Sequence, residues 1–179
     1  MAPYALPSSL HYIDTQAAAL YAQNGGTEIA VTQRVNASAA DAFDAWVKFI
    51  WIKSPGIEEV APGEGRGAVG HTRLMTKAGI EEKIISAGLP SDADRSAVPS
   101  VQYKVTKFGR APLADHIALV RFIQDYSQET PQTDIVWTIK VTLPPGGNPA
   151  VIEGLKKTLV GGLKGFAKLL AAANTKGKL

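Results

Sequence analysis

The chain has 179 residues, of which 45% are hydrophobic and 20% are charged, the usage of an ordinary globular protein rather than of a disordered or membrane protein. It contains no cysteine, which excludes disulfide frameworks, thiolate zinc sites and thiol nucleophiles. The formal net charge is only +3 and no Arg/Lys stripe alternates with aromatic residues, so we expect no nucleic-acid partner.

The first 27 residues differ in composition from the rest of the chain. An Ala-rich stretch from Asp14 to Gln23 predicts a short helix, which the sequence Asn24-Gly25-Gly26 ends. No positively charged segment precedes an apolar run, and no run of about 18 apolar residues occurs. We therefore expect an N-terminal extension at residues 1–27, no membrane insertion, and a cytoplasmic protein.

A strand and an amphipathic helix open the main domain, which we place at residues 28–174. The strand covers 27–35, where apolar residues alternate with mostly polar ones. Ser38 and Asp41 have the spacing of a capping box at a helix start. The apolar residues of this helix recur at helical spacing, at Phe43, Trp46, Val47 and Ile50, before Pro55-Gly56 ends it.

Five strand-like runs follow the glycine-rich loop 62–67. They cover about 68–76, 79–87, 100–108, 116–126 and 133–143. Because no helix separates them, they must pair antiparallel. The last run alternates most regularly and predicts one buried and one solvated face, with Ile135, Trp137, Ile139, Val141 and Leu143 on the buried side.

A long helix ends the domain and precedes a basic tail at residues 175–179. Asn148 is suited to cap it, Pro149 to its first position, and it is predicted to run to about Ala173. Its apolar stripe, which needs the apolar face of the sheet as a partner, comprises Ile152, Leu155, Leu159, Leu163, Phe166 and Leu170.

Four glycines interrupt this helix, each at a cost of about 1 kcal/mol relative to alanine. Gly162 borders the apolar stripe and is placed to leave room for a ligand. Gly154, Gly161 and Gly165 lie on another side, where they would allow close packing against a loop, the N-terminal helix or the second subunit of a homodimer.

The order of elements resembles the helix-grip fold of the START-like superfamily, also called SRPBCC. The resemblance covers about residues 28–173, and short segments suggest the polyketide cyclase/dehydrase and lipid-transport branch: Gly70-His71-Thr72-Arg73, Ile80-Glu81-Glu82, Val101-Gln102-Tyr103, Asp115-His116 and Thr133–Val141. It implies an α+β fold in which a curved antiparallel sheet wraps around the C-terminal helix. It also implies an internal apolar cavity that holds hydrophobic molecules for transport, sensing or cofactor-free chemistry.

Arg73 and Glu82 are the first candidates for catalysis. With Lys77-Ala78 as a two-residue turn, residues whose numbers sum to 155 face each other, so Arg73 lies opposite Glu82 on the more apolar face of the hairpin. In a catalytic role, Arg73 orients or polarises a carbonyl oxygen, while Glu82 orients Arg73 or moves a proton. The alternative is an inert cross-strand ion pair at the rim of the sheet.

Three further side chains are placed to act on a ligand. His116 begins a strand and is a candidate acid or base, because imidazole exchanges protons near neutral pH. The alternative is a histidine that bonds a loop carbonyl, and His71 has the same two interpretations. Tyr103 is suited to donate a hydrogen bond to a ligand oxygen, or is a plain core tyrosine.

The predicted ligand-binding wall is apolar: Trp46, Phe122, Trp137, Leu155, Leu159, Leu163 and Phe166. If a loop at 127–132 joins the last two strands, Phe122 and Trp137 are neighbours on it. The three histidines lack ligand spacing, so no metal site is expected. The glycines at 63–67 match neither a phosphate loop nor a dinucleotide fingerprint, and we expect no cofactor.

Two functions fit this pattern best. The first is a cofactor-independent cyclase, dehydratase or isomerase of a biosynthetic pathway for polyketide-like or other secondary metabolites. The second is a carrier or sensor that binds a lipid or apolar metabolite without changing it. A third is a partner-binding module that uses the glycine face of the last helix. The first two predict a hydrophobic small molecule as the partner.

Overall fold

The computed structural model describes residues 25–88 and 98–175. The helix predicted within residues 14–23 lies outside the described residues, as do the last four residues of the predicted basic tail. No helix within the described ranges is long and apolar enough to cross a membrane.

Seven strands form one antiparallel sheet, in the order β1-β7-β6-β5-β4-β3-β2. Their bounds are Thr27–Val35 (β1), Ile57–Ala61 (β2), Thr72–Met75 (β3), Ile80–Gly88 (β4), Ser100–Lys107 (β5), Asp115–Asp125 (β6) and Gln132–Thr142 (β7). Pairing of β1 with β7 brings the first strand next to the last one along the chain. Six of the seven strands were expected from the sequence. Strand β2 was not, because its residues are exposed or half-buried at the sheet edge and show no buried alternation.

The first helix changes its geometry halfway along. Ala39–Ala45 is α-helical (α1), with the Ser38 hydroxyl accepting a hydrogen bond from the Asp41 amide at 3.1 Å, as the capping box predicted. The segment Trp46–Ile52 is π-helical, whereas the apolar spacing had predicted a continuous α-helix. In an α-helix, residues five apart point about 140° away from each other. The wider π-helical turn brings such residues to the same side, and Trp46 and Trp51 are both buried.

The C-terminal helix, α2, covers Ala150–Thr175 and packs on the inner face of the sheet. The Asn148 side-chain oxygen accepts a hydrogen bond from the Ala150 amide at 3.0 Å, so the predicted cap is confirmed. Of the predicted stripe, Leu159, Leu163, Phe166 and Leu170 are buried and Ile152 and Leu155 are partly buried. The stripe therefore packs on the apolar face of the sheet, as predicted.

Trp46 lies at the centre of the core. Its ring makes edge contacts with Phe122 at 6.2 Å, Trp137 at 5.1 Å and Phe166 at 5.1 Å between centroids. Phe122 and Trp137 share the inner face, but they are diagonal neighbours, since Val120 pairs with Trp137. The loop between β6 and β7 covers residues 126–131 instead of the predicted 127–132. Because both ends of the loop move by one residue, the pairing of β6 with β7 shifts by two residues. These four aromatic rings fill space between sheet and helix by packing on one another.

The outer face of the sheet is less solvated than the alternation along β7 predicted. Thr138 is buried there, and so are Ile117 and Leu119 on the neighbouring strand β6. Ile117 and Leu119 do not belong to the main hydrophobic cluster on the inner face. Strand β6 is therefore covered on both faces, which agrees with the nearly continuous apolar run of its sequence.

Candidate active site

Arg73 and Glu82 form a buried ion pair across β3 and β4. They are directly paired, as predicted, and only 7% and 5% exposed. Both Nε and Nη2 of Arg73 donate to the same Glu82 oxygen, Oε2, at 2.9 and 2.6 Å. The connection between the strands has four residues, 76–79, rather than the expected two, but it is symmetric about the same point and leaves the register unchanged. The two charges therefore neutralise each other inside the protein.

The third guanidinium nitrogen of Arg73, Nη1, bonds to the π-helical segment. It donates to the carbonyl oxygen of Ile50. In a π-helix that carbonyl would accept from the residue five positions on, which is Pro55 and has no amide hydrogen. The guanidinium supplies the missing donor. It also stacks over the ring of Trp51, with its carbon 4.0 Å from the ring centroid.

Trp51 connects the candidate side chains. It is fully buried, and besides Arg73 its ring contacts Tyr103 at 5.0 Å and His71 at 6.1 Å between centroids. Tyr103 in turn lies 5.8 Å from the ring of His116. These contacts join all five residues that were predicted to do chemistry. We call the group the Trp51 cluster, and it comprises Trp51, His71, Arg73, Glu82, Tyr103 and His116.

The hydroxyl of Tyr103 accepts one hydrogen bond and does not donate its own proton to another described residue. It accepts a hydrogen bond from Trp137 Nε1 at 3.0 Å, while no acceptor for its own proton occurs within residues 25–88 and 98–175. Burial raises the pKa of Tyr103 well above its ordinary value, and the negative charge of Glu82 acts in the same direction. Tyr103 is therefore a neutral hydrogen-bond donor at physiological pH.

His116 is held uncharged by its surroundings. Burial lowers the pKa of its imidazole below the ordinary value, and the negative charges of Glu82 and Asp115 oppose this without reversing it. Asp115 accepts a hydrogen bond from the backbone amide of His116 at 2.8 Å. Nδ1 of His116 is buried without a hydrogen-bond partner. This nitrogen therefore does not bond a loop carbonyl, which was the alternative to a catalytic role. A neutral imidazole with an unpaired nitrogen is able to take up a proton.

His71 is anchored from the edge of the sheet. Its Nε2 lies 3.1 Å from a carboxylate oxygen of Glu59 on β2, while Nδ1 is buried without a partner. Strand β2, which sequence reasoning missed, thus contributes a residue next to the cluster. The remaining missed residue is Trp51 itself. Its only sequence signal is its position five residues after Trp46, which the α-helical spacing concealed.

Unsatisfied nitrogen atoms concentrate in this cluster. In the part of the chain that the structure describes, buried nitrogens without a hydrogen-bond partner occur at Trp51 Nε1, His71 Nδ1 and His116 Nδ1, and elsewhere only at Trp46 and Arg121. A buried polar group left unpaired costs about 1–3 kcal/mol. Such groups are rare in folded proteins and indicate a missing partner, such as water or a ligand.

A mostly apolar pocket of about 430 Å³ opens beside the cluster, between the end of the π-helical segment and the β3–β4 turn. Its lining includes Ile50, Pro55, Ile57, Arg73, Met75 and Lys77. Its volume lies in the range of small-molecule sites. Arg73 belongs both to this pocket and to the Trp51 cluster. A second cleft, of about 400 Å³ near Arg34 and Asn174, contains none of the candidate residues.

The glycines of α2 do not all have the predicted surroundings. A Cβ atom at Gly162 would lie 3.2 Å from the ring of Trp137, so the space expected for a ligand is taken by that ring. At Gly154, Gly161 and Gly165 a Cβ atom would meet nothing within 4 Å. No close packing on these three glycines therefore occurs in the structure as described.

The predicted ligand wall divides into two groups. Leu155 and Trp137 are partly buried, whereas Trp46, Phe122, Leu159, Leu163 and Phe166 are buried in the packed core. Contact of these residues with a ligand stays a prediction. Within the described ranges no group of three or more His, Asp or Glu side chains is arranged to hold a metal ion.

Comparison with known proteins establishes the fold. No family model and no curated protein matches the sequence. An uncharacterized protein from Bacillus thuringiensis is similar in structure, with 12% identity, a TM-score of 0.55, and coverage of 81% of this chain and 99% of that one. Norcoclaurine synthase from Thalictrum flavum has 16% identity, a TM-score of 0.54 and coverage of 81% and 86%.

A third similar structure, Ara h 8.0201, has 16% identity, a TM-score of 0.53, and coverage of 83% of this chain and 99% of that one. The predicted fold class is confirmed: an α+β helix-grip fold with a curved antiparallel sheet and a long C-terminal helix. Similarity at such low identity concerns the fold alone, because one fold hosts many activities.

Proposed function

We propose that the protein binds an apolar carbonyl compound and catalyses a cofactor-independent isomerisation, dehydration or cyclisation of it, as a step in the biosynthesis of a polyketide-like or other secondary metabolite. The observation that carries the proposal is the pair formed by Tyr103 and His116. A neutral hydroxyl with an available proton lies next to a neutral imidazole with an unpaired nitrogen, both buried in one cluster.

The chemistry follows from these two protonation states. Tyr103 donates a hydrogen bond to the carbonyl oxygen and stabilises the negative charge that develops on it. His116 removes a proton from the carbon next to the carbonyl, leaving an enolate and an imidazolium. The imidazolium then returns the proton to another carbon in an isomerisation, or to a departing hydroxyl group as water leaves in a dehydration. In a cyclisation, the enolate carbon attacks a second carbonyl carbon, whose oxygen receives the proton.

Arg73 and Glu82 have a different part in this proposal from the one predicted. Because Glu82, Ile50 and Trp51 together occupy the guanidinium, Arg73 does not need to bond the substrate oxygen directly. It is a positioning residue that fixes the Trp51 ring from one face. The ring then fixes Tyr103, which it contacts at 5.0 Å.

The test begins with the small molecules that mass spectrometry finds in the purified protein. The compound so identified is incubated with the wild-type protein and with Tyr103→Phe and His116→Gln variants. The proposal expects a product with the wild type, a large loss of turnover in both variants, and retained binding. Tyr126→Phe is the matched control, since this tyrosine is 51% exposed. Equal turnover in the wild type and both site variants would refute the proposal.

A carrier or sensor is the second candidate, and a specific observation favours it. The Arg73–Glu82 pair is satisfied within the protein, which is the state expected of a structural ion pair. A carrier releases its ligand chemically unaltered after any incubation. Detection of a product formed by the wild-type protein, and absent with His116→Gln, would decide against this candidate.

A further inference from the structure

We infer that the indole nitrogen of Trp51 is a ligand-binding donor, and that the ligand presents to it an uncharged oxygen, as in a ketone, aldehyde or ester. The inference rests on the proposed function, because it places the ligand in the same cluster. It begins from the fully buried Trp51, whose Nε1 has no hydrogen-bond partner. Indole nitrogen is a donor only, so its missing partner must be an acceptor.

The three tryptophans of the chain offer an internal comparison. Trp137 Nε1 is satisfied by the hydroxyl of Tyr103. Trp46 Nε1 is unpaired, but its ring is surrounded by the rings of Phe122, Trp137 and Phe166, which leave it in an apolar environment. Trp51 alone combines an unpaired nitrogen with contacts to polar side chains, namely Arg73, Tyr103 and His71.

The stacking of Arg73 does not occupy the Trp51 nitrogen. A cation over an aromatic ring occupies its face, where the electron density is highest. The N–H bond lies in the plane of the ring and projects from its edge. Arg73 also lines the apolar pocket of about 430 Å³, so a ligand that enters by this pocket reaches the residue that covers Trp51.

The charges of the cluster identify the class of oxygen. Arg73 and Glu82 neutralise each other, and burial lowers the pKa of His116 and keeps it uncharged. Glu59, which contacts His71, adds a negative charge at the edge of the cluster. No positive charge in this group is left over for a carboxylate, and burial of an unpaired anion is strongly unfavourable. An uncharged carbonyl oxygen accepts a hydrogen bond from the Trp51 nitrogen without this penalty.

Nuclear magnetic resonance of the indole N–H groups tests the inference on the intact chain. Three tryptophans give three indole signals, which Trp51→Phe and Trp46→Phe variants assign. The probes are acetylnaphthalene and ethylnaphthalene, which have similar shapes but differ in the carbonyl oxygen. We expect acetylnaphthalene to move the Trp51 signal downfield, ethylnaphthalene to leave that signal nearly in place, and the Trp46 signal to respond alike to both.

Affinities measured by titration complete the test. Trp51→Phe should weaken acetylnaphthalene binding about two- to tenfold, the value of one hydrogen bond, and affect ethylnaphthalene less. Trp46→Phe should weaken both probes equally or not at all. An unmoved Trp51 signal with bound acetylnaphthalene, or tighter binding of naphthoate than of acetylnaphthalene, would overturn the inference. If neither acetylnaphthalene nor ethylnaphthalene bound, both the proposed function and the inference about Trp51 would be refuted.

Discussion

The guanidinium of Arg73 lies over the ring of Trp51 at 4.0 Å, and this contact joins the sheet to the π-helical segment. One arginine thereby satisfies a carboxylate on β4, a backbone carbonyl that Pro55 leaves without an amide donor, and the face of a buried indole. The Trp51 cluster is organised around this contact. Replacing Arg73 therefore removes contacts to Glu82, to the Ile50 carbonyl and to Trp51 at once.

Replacement of Arg73 alone should destabilise the protein more than replacement of the whole pair. In Arg73→Met, Glu82 remains buried without its counter-charge, and we expect a loss of about 3–5 kcal/mol in the free energy of unfolding. In the double variant Arg73→Met/Glu82→Leu, much of this loss should be recovered because no isolated charge remains. Denaturant unfolding measures both values. Equal losses in the single and double variants would show that the charge pair is not the origin of the effect.

Tyr103→Phe should separate structural from chemical roles of the hydroxyl. It leaves Trp137 Nε1 without its acceptor, at a cost of about 1–3 kcal/mol in unfolding free energy. If the hydroxyl also stabilises a developing oxyanion, turnover should fall about 10²–10³-fold. Tyr126→Phe, at an exposed position, should cost less stability than Tyr103→Phe and leave turnover unchanged. A Tyr103 variant of reduced stability but full turnover would restrict this hydroxyl to a structural role.

His116 should make stability fall on acidification. Its folded-state pKa is lowered by burial, so below the ordinary pKa of about 6.5 the unfolded chain binds a proton more readily than the folded one. This contribution to stability is complete above that pKa and is lost as pH falls towards the folded-state pKa. Unfolding free energies of the wild type and His116→Gln, measured from about pH 8 to about pH 5, should therefore differ in slope only in the acidic part of this range. Parallel curves throughout would contradict burial of a neutral imidazole.

The glycines of α2 should respond unequally to alanine. Gly161→Ala and Gly165→Ala place a methyl group in open space and should stabilise the protein by about 0.5–1 kcal/mol each, through helix propensity. Gly162→Ala brings a carbon to 3.2 Å from the Trp137 ring, so it should gain less or lose stability. Thermal unfolding provides the comparison. A gain at Gly162 equal to that at Gly161 would show that the Trp137 ring yields without cost.

The sequence predicted the β3–β4 pairing because a hairpin with alternating faces has few acceptable registers. Arg73 and Glu82 were therefore placed opposite each other even though the length of their turn was misjudged. The element order of the long helix and the antiparallel strands was also readable from apolar spacing. Apolar residues recur at the period of a helix or a strand within each segment, so these elements can be located from the sequence alone.

Two features could not be read in this way. A π-helical turn uses the same residue types as an α-helix, so nothing in the apolar spacing of residues 43–50 revealed that Trp51 would turn inward. Strand β2 forms at the sheet edge from mainly exposed residues, whose pairing depends on β3 and not on a buried face of their own. The place of Trp51 at the centre of the cluster therefore needed tertiary structure to be recognised, although the other five members had been identified from the sequence, Arg73 and Glu82 as a facing pair.

The most direct test of proton abstraction by His116 is exchange of ligand hydrogen with heavy water. The compound released from the purified protein is incubated in deuterium oxide with the wild type and with His116→Gln, and its mass is then measured. The proposed chemistry predicts that the wild type introduces deuterium at the carbon next to the carbonyl, in recovered ligand or in product, and that His116→Gln does so far more slowly. Recovery of the compound from the wild-type protein with neither deuterium nor chemical change would contradict an enzymatic function and favour a carrier.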